Sequence, residues 1–350
     1  MIYKVIILRC EMQNRITERQ KLLNNQGLLA NPGYAIRPLF DYSRQEIAAS
    51  KWRIKEWDYY ATLNDHFGVS FTIADLGYSF LISAVMLDFD KKTYTKKTKI
   101  GWFSFGKLNL PKTSLEGNVS YHGGGFDFDF IREKDQRKLI CKIKDYQVGV
   151  DLESELLIEA PDDDSIVMAT PWKENKKAFY FNQKINCMPT TGFVKVGNEK
   201  SEFKKENSFT VLDWGRGVWT YKNTWYWGSA SGLVNGKRFG FNIGYGFGDT
   251  SKASENIIFY DGIGHKLDQI KFEIDTTNYL NPWKFSSNDQ RFELTMTPLI
   301  DRQDDTNFII IKNLGHQVFG KFNGYVILDD GSKLEIKNLL GFAEQITNHY

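Results

Sequence analysis

The chain has 350 residues, 41% hydrophobic, 25% charged and an unusual 15% aromatic, which is a globular composition too long for the usual single domain, so two packed domains are expected. A net charge of +2 provides no field for a polyanion, and nucleic acid is not an expected partner. Cys10, Cys141 and Cys187 form neither a disulfide framework nor a zinc motif, and no apolar run reaches the roughly 18 residues of a membrane helix. A reducing, cytoplasmic setting is the expectation, with no metal, no cofactor and no integral membrane segment.

In chain order, Val5 to Leu8 is too short for a signal-peptide core. Residues 1–11 read as an upstream extension, with Met12 as the start. Residues 12–29 predict a helix, carrying Ile16, Leu22, Leu23 and Leu28 among polar residues, with Asn25 and Gly27 as a stop. Asn31-Pro32-Gly33 is a turn. Residues 43–50 predict a short helix, with Ser43 as N-cap and Glu46 completing a capping box.

From Trp57 the period becomes two. Trp57, Tyr59 and Ala61 alternate with Asp58, Tyr60 and Thr62, and strands at roughly ten-residue spacing follow along the chain. Lys91-Lys92 and Lys96-Lys97 read as solvated hairpin tips. Asp127 and Asp129 share one face of a strand, as a solvated strand face or a polar lining. Asp162-Asp163-Asp164 is a tight acidic turn. Pro171, Pro189 and Gly192 interrupt the pattern and place a boundary within 170–195, giving domains at 12–185 and 186–350. Residues 338–346 predict a brief terminal helix. The pattern as a whole predicts an all-β chain of antiparallel barrels or sandwiches with a short N-terminal helix; no βαβ alternation supports a doubly wound fold.

Three motifs fall short of the chemistry they resemble. Gly240, Gly244, Gly246 and Gly248 do not give GxGxxG and no helix follows, so the run reads as a strand admitting close neighbours. His122-Gly123-Gly124-Gly125 resembles an oxyanion tetrad, but Gly228-Ser-Ala-Ser-Gly232 has Ala230 where a nucleophilic serine belongs. The five histidines form no metal-binding pair. The block from Asp213 to Asp249 is the most unusual stretch. Asp213 and Arg216 are close enough to pair, and Trp225 and Trp227 share a strand face. Glu255 and His265 flank the turn at Asp261-Gly262 and would face each other across a hairpin as an acid/base pair. The rings belong to a core of large side chains or wall a pocket. In the second case Trp57, Tyr59, Trp219, Tyr221, Trp225, Trp227, Asn242 and Tyr245 would contact a ligand, with Asp213, Arg216, Glu255 and His265 as catalytic candidates.

Several segments together resemble the bacterial family called domain of unknown function 2804, which has no established activity. These are Gln26-Gly27-Leu28-Leu29, Gly33-Tyr34-Ala35, RIKEWDYY at 53–60, Ala74 to Tyr78, DWGRG at 213–217, and Trp225-Tyr226-Trp227. The strand Gly240 to Gly248, Glu255, Asp261-Gly262 and Gly341-Phe342-Ala343-Glu344 complete the set. The likeness extends more distantly to two-domain lipocalin-like carotenoid hydratases and Diels–Alder cyclases. It implies two calycin-type barrels with a cavity at their junction, and carries over no catalytic residue. The expected function is binding of an apolar small molecule or lipid, with cofactor-free hydration, cyclisation or isomerisation. A non-catalytic carrier and a ligand-free interaction protein are the alternatives.

Overall fold

A computed structural model describes residues 13–308 and 311–349, the side chains of 305–313 aside. The predicted extension at 1–11, with Cys10, lies outside the described residues. Among those described, strands fall into a 13-stranded sheet, a nine-stranded sheet and one two-stranded pair. No described helix is long and apolar enough to cross a membrane.

The first sheet runs in the order Thr93–Trp102, Ser79–Asp88, Phe67–Asp75, Ile54–Leu63, Phe209–Val218, Asn175–Val196, Val150–Glu159, Gln136–Gln147, Phe126–Arg132 and Val119–Gly123; off this path Ile166–Trp172 and Glu199–Phe203 pair with Asn175–Val196, and Gly33–Ala35 pairs with Ile166–Trp172. It curls until its first strand meets Gln136–Gln147, where the Tyr146 hydroxyl donates to the Thr95 carbonyl at 2.6 Å. The second sheet runs Ile263–Lys266, Ile257–Tyr260, Lys237–Tyr245, Lys222–Val234, Lys333–His349, Ile311–Ile327, Phe292–Phe308, Trp283–Ser287 and Ile270–Glu273. It curls likewise, bringing Tyr245 against Phe272 with ring centroids 5.4 Å apart. The molecule is thus all-β, two curled antiparallel half-barrels.

The sheet changes between Val218 and Lys222. Pro171 and the pair Pro189 and Gly192, which mark 170–195 in the sequence, lie inside the strands Ile166–Trp172 and Asn175–Val196. The long strand absorbs its interruption as a bulge between Ile185 and Met188, with Cys187 at φ +59°.

All three predicted helices are corrected. Residues 13–23 run without helix, the chain reverses in a turn at 24–28, and Leu29 bridges back to Leu23. Ile16 N–H bonds the Tyr34 carbonyl, and Gln20–Lys21 pairs with Phe40–Asp41. The apolar positions 16, 22, 23 and 28 do not repeat every three or four residues, so a helix would bury no continuous stripe. In the strand-like course Leu22 and Leu23 are both buried. Within 43–50 only a 3₁₀ turn forms, Arg44–Glu46, and Ser43 makes no side-chain cap. Residues 338–346 belong to the strand Lys333–His349.

The first half-barrel is filled by rings such as Phe71, Phe128 and Trp214, the second by Phe241, Trp283 and Phe292. The first core does not stop at its own sheet. Trp227, Phe319 and Phe342 of the second sheet, and Phe247 just beyond its strand Lys237–Tyr245, belong to the same buried cluster.

Candidate functional site

Strand alternation decides which residues of the DWGRG block meet. Asp213, Gly215 and Gly217 face the second half-barrel, whereas Trp214 and Arg216 point into the first. The expected Asp213–Arg216 pair is therefore absent, because residues three apart on a strand lie on opposite faces. Arg216 is fully buried. It binds Asp58 at 3.0 Å, donates to the Trp57, Gly215 and Pro111 carbonyls, and stacks 4.0 Å from the Trp214 ring. Its place is structural, beside Glu56, which accepts from Tyr42 at 2.8 Å and pairs with Arg44 at 2.5 Å.

On the opposite face Asp213 Oδ1 forms an ion pair with Lys184 at 2.9 Å and accepts from Asn182 at 2.6 Å. Lys184 stands opposite Asp213 in the register, and its ammonium lies 3.8 Å from the Trp227 ring centroid. From Asp213 one row crosses the sheet through Tyr59, Thr72, Ser83 and Thr98. The neighbouring row holds Gly215, Trp57, Ala74, Leu81 and Ile100. A Cβ on Gly215 would lie 2.0 Å from the Trp57 ring, so glycine there makes room for the indole.

The second sheet presents its own row, Trp227, Glu344, Gln317 and Arg302, set side by side by pairing of four strands. Glu344 accepts from Trp225 Nε1 at 2.9 Å and from Gln317 Nε2 at 3.1 Å. Gln317 Oε1 in turn accepts from Arg302 Nε at 3.0 Å. Between the two faces lie two adjoining chambers. One, of about 260 Å³, is walled by Trp57, Trp219, Trp225, Trp227 and Phe247, with Lys184, Asp213 and Glu344 at its edge. The other, of about 340 Å³, is lined by Ser70, Thr72, Ser83, Thr98, Lys96 and Arg302. Trp57, Asp213, Trp227 and Glu344 line both.

Burial governs the electrostatics. It pushes the Glu344 carboxyl up to about 7, although the Trp225 N–H, Arg302 and Lys184 favour its charged form. Burial likewise raises Glu255 to about 7 against the pull of Lys184, and lowers Lys55, at the edge of the aromatic chamber, to about 7. Tyr59 is pushed up to about 12 by burial.

The other sequence candidates divide. Trp57, Trp219, Trp225 and Trp227 come together in the aromatic chamber, and Tyr59 lines the polar one. Asn242 sits behind them, accepting from Trp227 Nε1 at 2.7 Å and donating to the Glu255 carbonyl at 2.9 Å. Glu255 does not face His265. It lies buried behind Tyr180, whose hydroxyl is 3.4 Å from Oε2, with Gly244 leaving space for Oε1. His265 pairs across its hairpin with Ile258 and contacts Asp329 at 3.3 Å, on the far side of that strand pair. Tyr221 is exposed beside His349, and Tyr245 stacks on Tyr226 in the second half-barrel. Sequence reasoning did not single out Lys184, Tyr180, Glu344, Gln317 or Arg302. The alternation of Tyr180, Asn182 and Lys184 on one face of a predicted strand was the available signal.

No curated protein matches the chain. Among solved structures, an AttH-like protein from Nitrosomonas europaea is similar at 13% identity, covering 89% of this chain and 98% of that one, with a TM-score of 0.51. This likeness shows a two-part lipocalin-like fold. CghA with Sch210972 is similar at 9% identity over 94% of this chain and 97% of that one, TM-score 0.47. Kievitone hydratase from Nectria haematococca is similar at 10% identity over 84% and 88%, TM-score 0.46. Residues 13–350 match the family described as Domain of unknown function (DUF2804), and the chain belongs to that family.

Proposed function

We propose that the chain binds an apolar small molecule in the aromatic chamber and transforms it without a cofactor, by proton transfer in a hydration, cyclisation or isomerisation. The observation that carries this reading is the composition of the chamber wall. Four tryptophans and Phe247 enclose about 260 Å³, and two buried carboxyls, Asp213 and Glu344, stand at its edge. A volume of this size holds a molecule of one or two fused rings, and indole faces suit a planar or unsaturated body. The carboxyls are held differently. Asp213 is bound on one oxygen by a lysine and an amide, leaving it an acceptor, whereas Glu344 sits in a desolvated site that favours its protonated form. Two carboxyls held by such different partners can serve as base and acid on one substrate.

The test begins with native mass spectrometry of the purified chain, followed by solvent extraction. A co-purifying apolar compound that competes with a naphthalene probe for the tryptophan-fluorescence signal is the expected result. A chain that carries no compound and binds no apolar probe overturns the reading. If turnover of the compound is seen, Asp213→Asn and Glu344→Gln should each lower kcat by at least about a hundredfold. Equal binding with no turnover in any variant would identify a carrier instead.

A further inference from the structure

The polar chamber adjoins the aromatic one but has a different character. Its wall on the first sheet is the hydroxyl row Thr72, Ser83 and Thr98, with Ser83 and Thr98 bonded to each other at 2.8 Å. Its far end holds Lys96 from the first sheet and Arg302 and Asp304 from the second. Asp304 binds both cations, Arg302 at 2.7 Å and Lys96 in a close contact. Two cations therefore share one carboxylate at this end of the chamber. The other charged groups shared with the aromatic chamber are Asp213, already paired with Lys184, and Glu344.

Arg302 is placed as an anchor. Its side chain is only 13% exposed. Nε is tied to Gln317 and Nη1 to Asp304, which fixes the plane of the guanidinium. A guanidinium held on two sides and lining the chamber is suited to a carboxylate.

We propose that the polar chamber receives the anionic end of an amphipathic organic acid, with Arg302 as its ion-pairing anchor, while the apolar body of the same molecule lies among the tryptophans. This inference rests on the cavity being a ligand site and adds the class of ligand: a ring-bearing or unsaturated carboxylic acid. The bound molecule would span the junction of the chambers, so the atoms where its apolar body meets its polar end lie beside Asp213 and Glu344. Lys96 supplies a second positive charge at the more open end of the chamber.

The full chain is titrated with 2-naphthaleneacetate and with 2-naphthaleneacetamide, which share a ring system and differ by one charge, and tryptophan quenching is read. The acid should bind at least roughly tenfold more tightly than the amide, because a charge-assisted bond replaces a neutral one. Arg302→Gln should bring the acid down to the level of the amide and leave the amide unchanged. Arg302→Lys should keep most of the preference, and Lys96→Gln should reduce it by a smaller factor. Circular dichroism checks that each variant is folded; the lysine variant and Lys96→Gln decide the matter if Arg302→Gln is not. Equal binding of acid and amide, or a preference unmoved by Arg302 and Lys96, overturns the anionic anchor while leaving the aromatic chamber standing as a ligand site. Failure of both probes to bind overturns the anchor and the ligand site together.

Discussion

Glu255 shows what an interior of this kind does to a single residue. Its carboxyl is buried against Tyr180, close to the Lys184–Asp213 pair, and burial lifts it to about 7. In the unfolded chain it would titrate at its ordinary value near 4.5. The folded form therefore holds a proton that the unfolded form has lost between these two values. Stability from this group is complete below about pH 4.5 and is lost as pH rises through about 7. The cost above pH 8 is on the order of 3 kcal/mol for a shift of this size. Glu255→Gln keeps the shape and a partner for Tyr180 but cannot ionise. Its stability relative to the unmodified chain, measured by urea denaturation from pH 5 to pH 8, should be near equal at pH 5 and higher at pH 8. A difference that does not change with pH would show that Glu255 titrates normally. Glu255 was legible in the sequence as a candidate, but its partner was not. Hairpin spacing pointed to His265, whereas the carboxyl crosses to Tyr180 in another sheet, a contact between residues 75 apart in sequence.

At the scale of the strand, alternation is the controlling fact. Phe209–Val218 is buried along its whole length, with one face inside the first half-barrel and the other against the second. That is why DWGRG carries two unrelated charges: Asp213 works outward with Lys184, and Arg216 works inward with Asp58. Double-mutant cycles separate these relations. Asp213→Asn and Lys184→Met should couple by more than about 1 kcal/mol, since each leaves the other unpaired. Asp213→Asn and Arg216→Met should add to within about 0.5 kcal/mol, because they share no partner. Arg216→Met alone should cost about 3–5 kcal/mol by stranding Asp58. Coupling of Asp213 to Arg216, measured in guanidinium unfolding, would contradict the assigned faces. The strands were legible because period two is a strong local signal over residues such as Trp57 to Thr62. The helix expected over 12–29 does not form because Leu22 and Leu23, apolar neighbours among good helix formers, lack the spacing of a buried helical stripe. Tertiary pairing with Phe40 and Tyr34 then fixed an extended course.

The whole molecule turns on how the two sheets meet. Interfaces between domains of one chain are commonly small and polar, and the domains then move and melt separately. Here the joint is otherwise. Trp219, Trp225 and Phe247 interlock with Trp57 and Tyr180 of the first sheet, with Trp219 and Trp225 centroids 5.1 Å apart and Tyr180 stacked on Phe247 at 4.6 Å. The acidic turn at 162–164 reaches both ways, with Asp162 on Arg37 at 2.6 Å and Asp163 on Arg238 of the second sheet. The sequence marked that turn only as a turn, since nothing local names a partner 75 residues on. Pulling the half-barrels apart would expose these rings and take the Trp227 face away from Lys184, so partial unfolding carries nearly the cost of losing a core. Scanning calorimetry should therefore show one transition, with calorimetric and van't Hoff enthalpies equal. The near-ultraviolet dichroism of the tryptophans should fade at the same temperature as the far-ultraviolet signal of the strands. Two resolved transitions would mean that the rings at the joint cover two independent cores, and the cavity between them would then open without unfolding either half. A single transition requires the opposite: the walls of the cavity are part of what holds the molecule together, and Asp213 and Glu344 keep their positions for as long as the chain is folded.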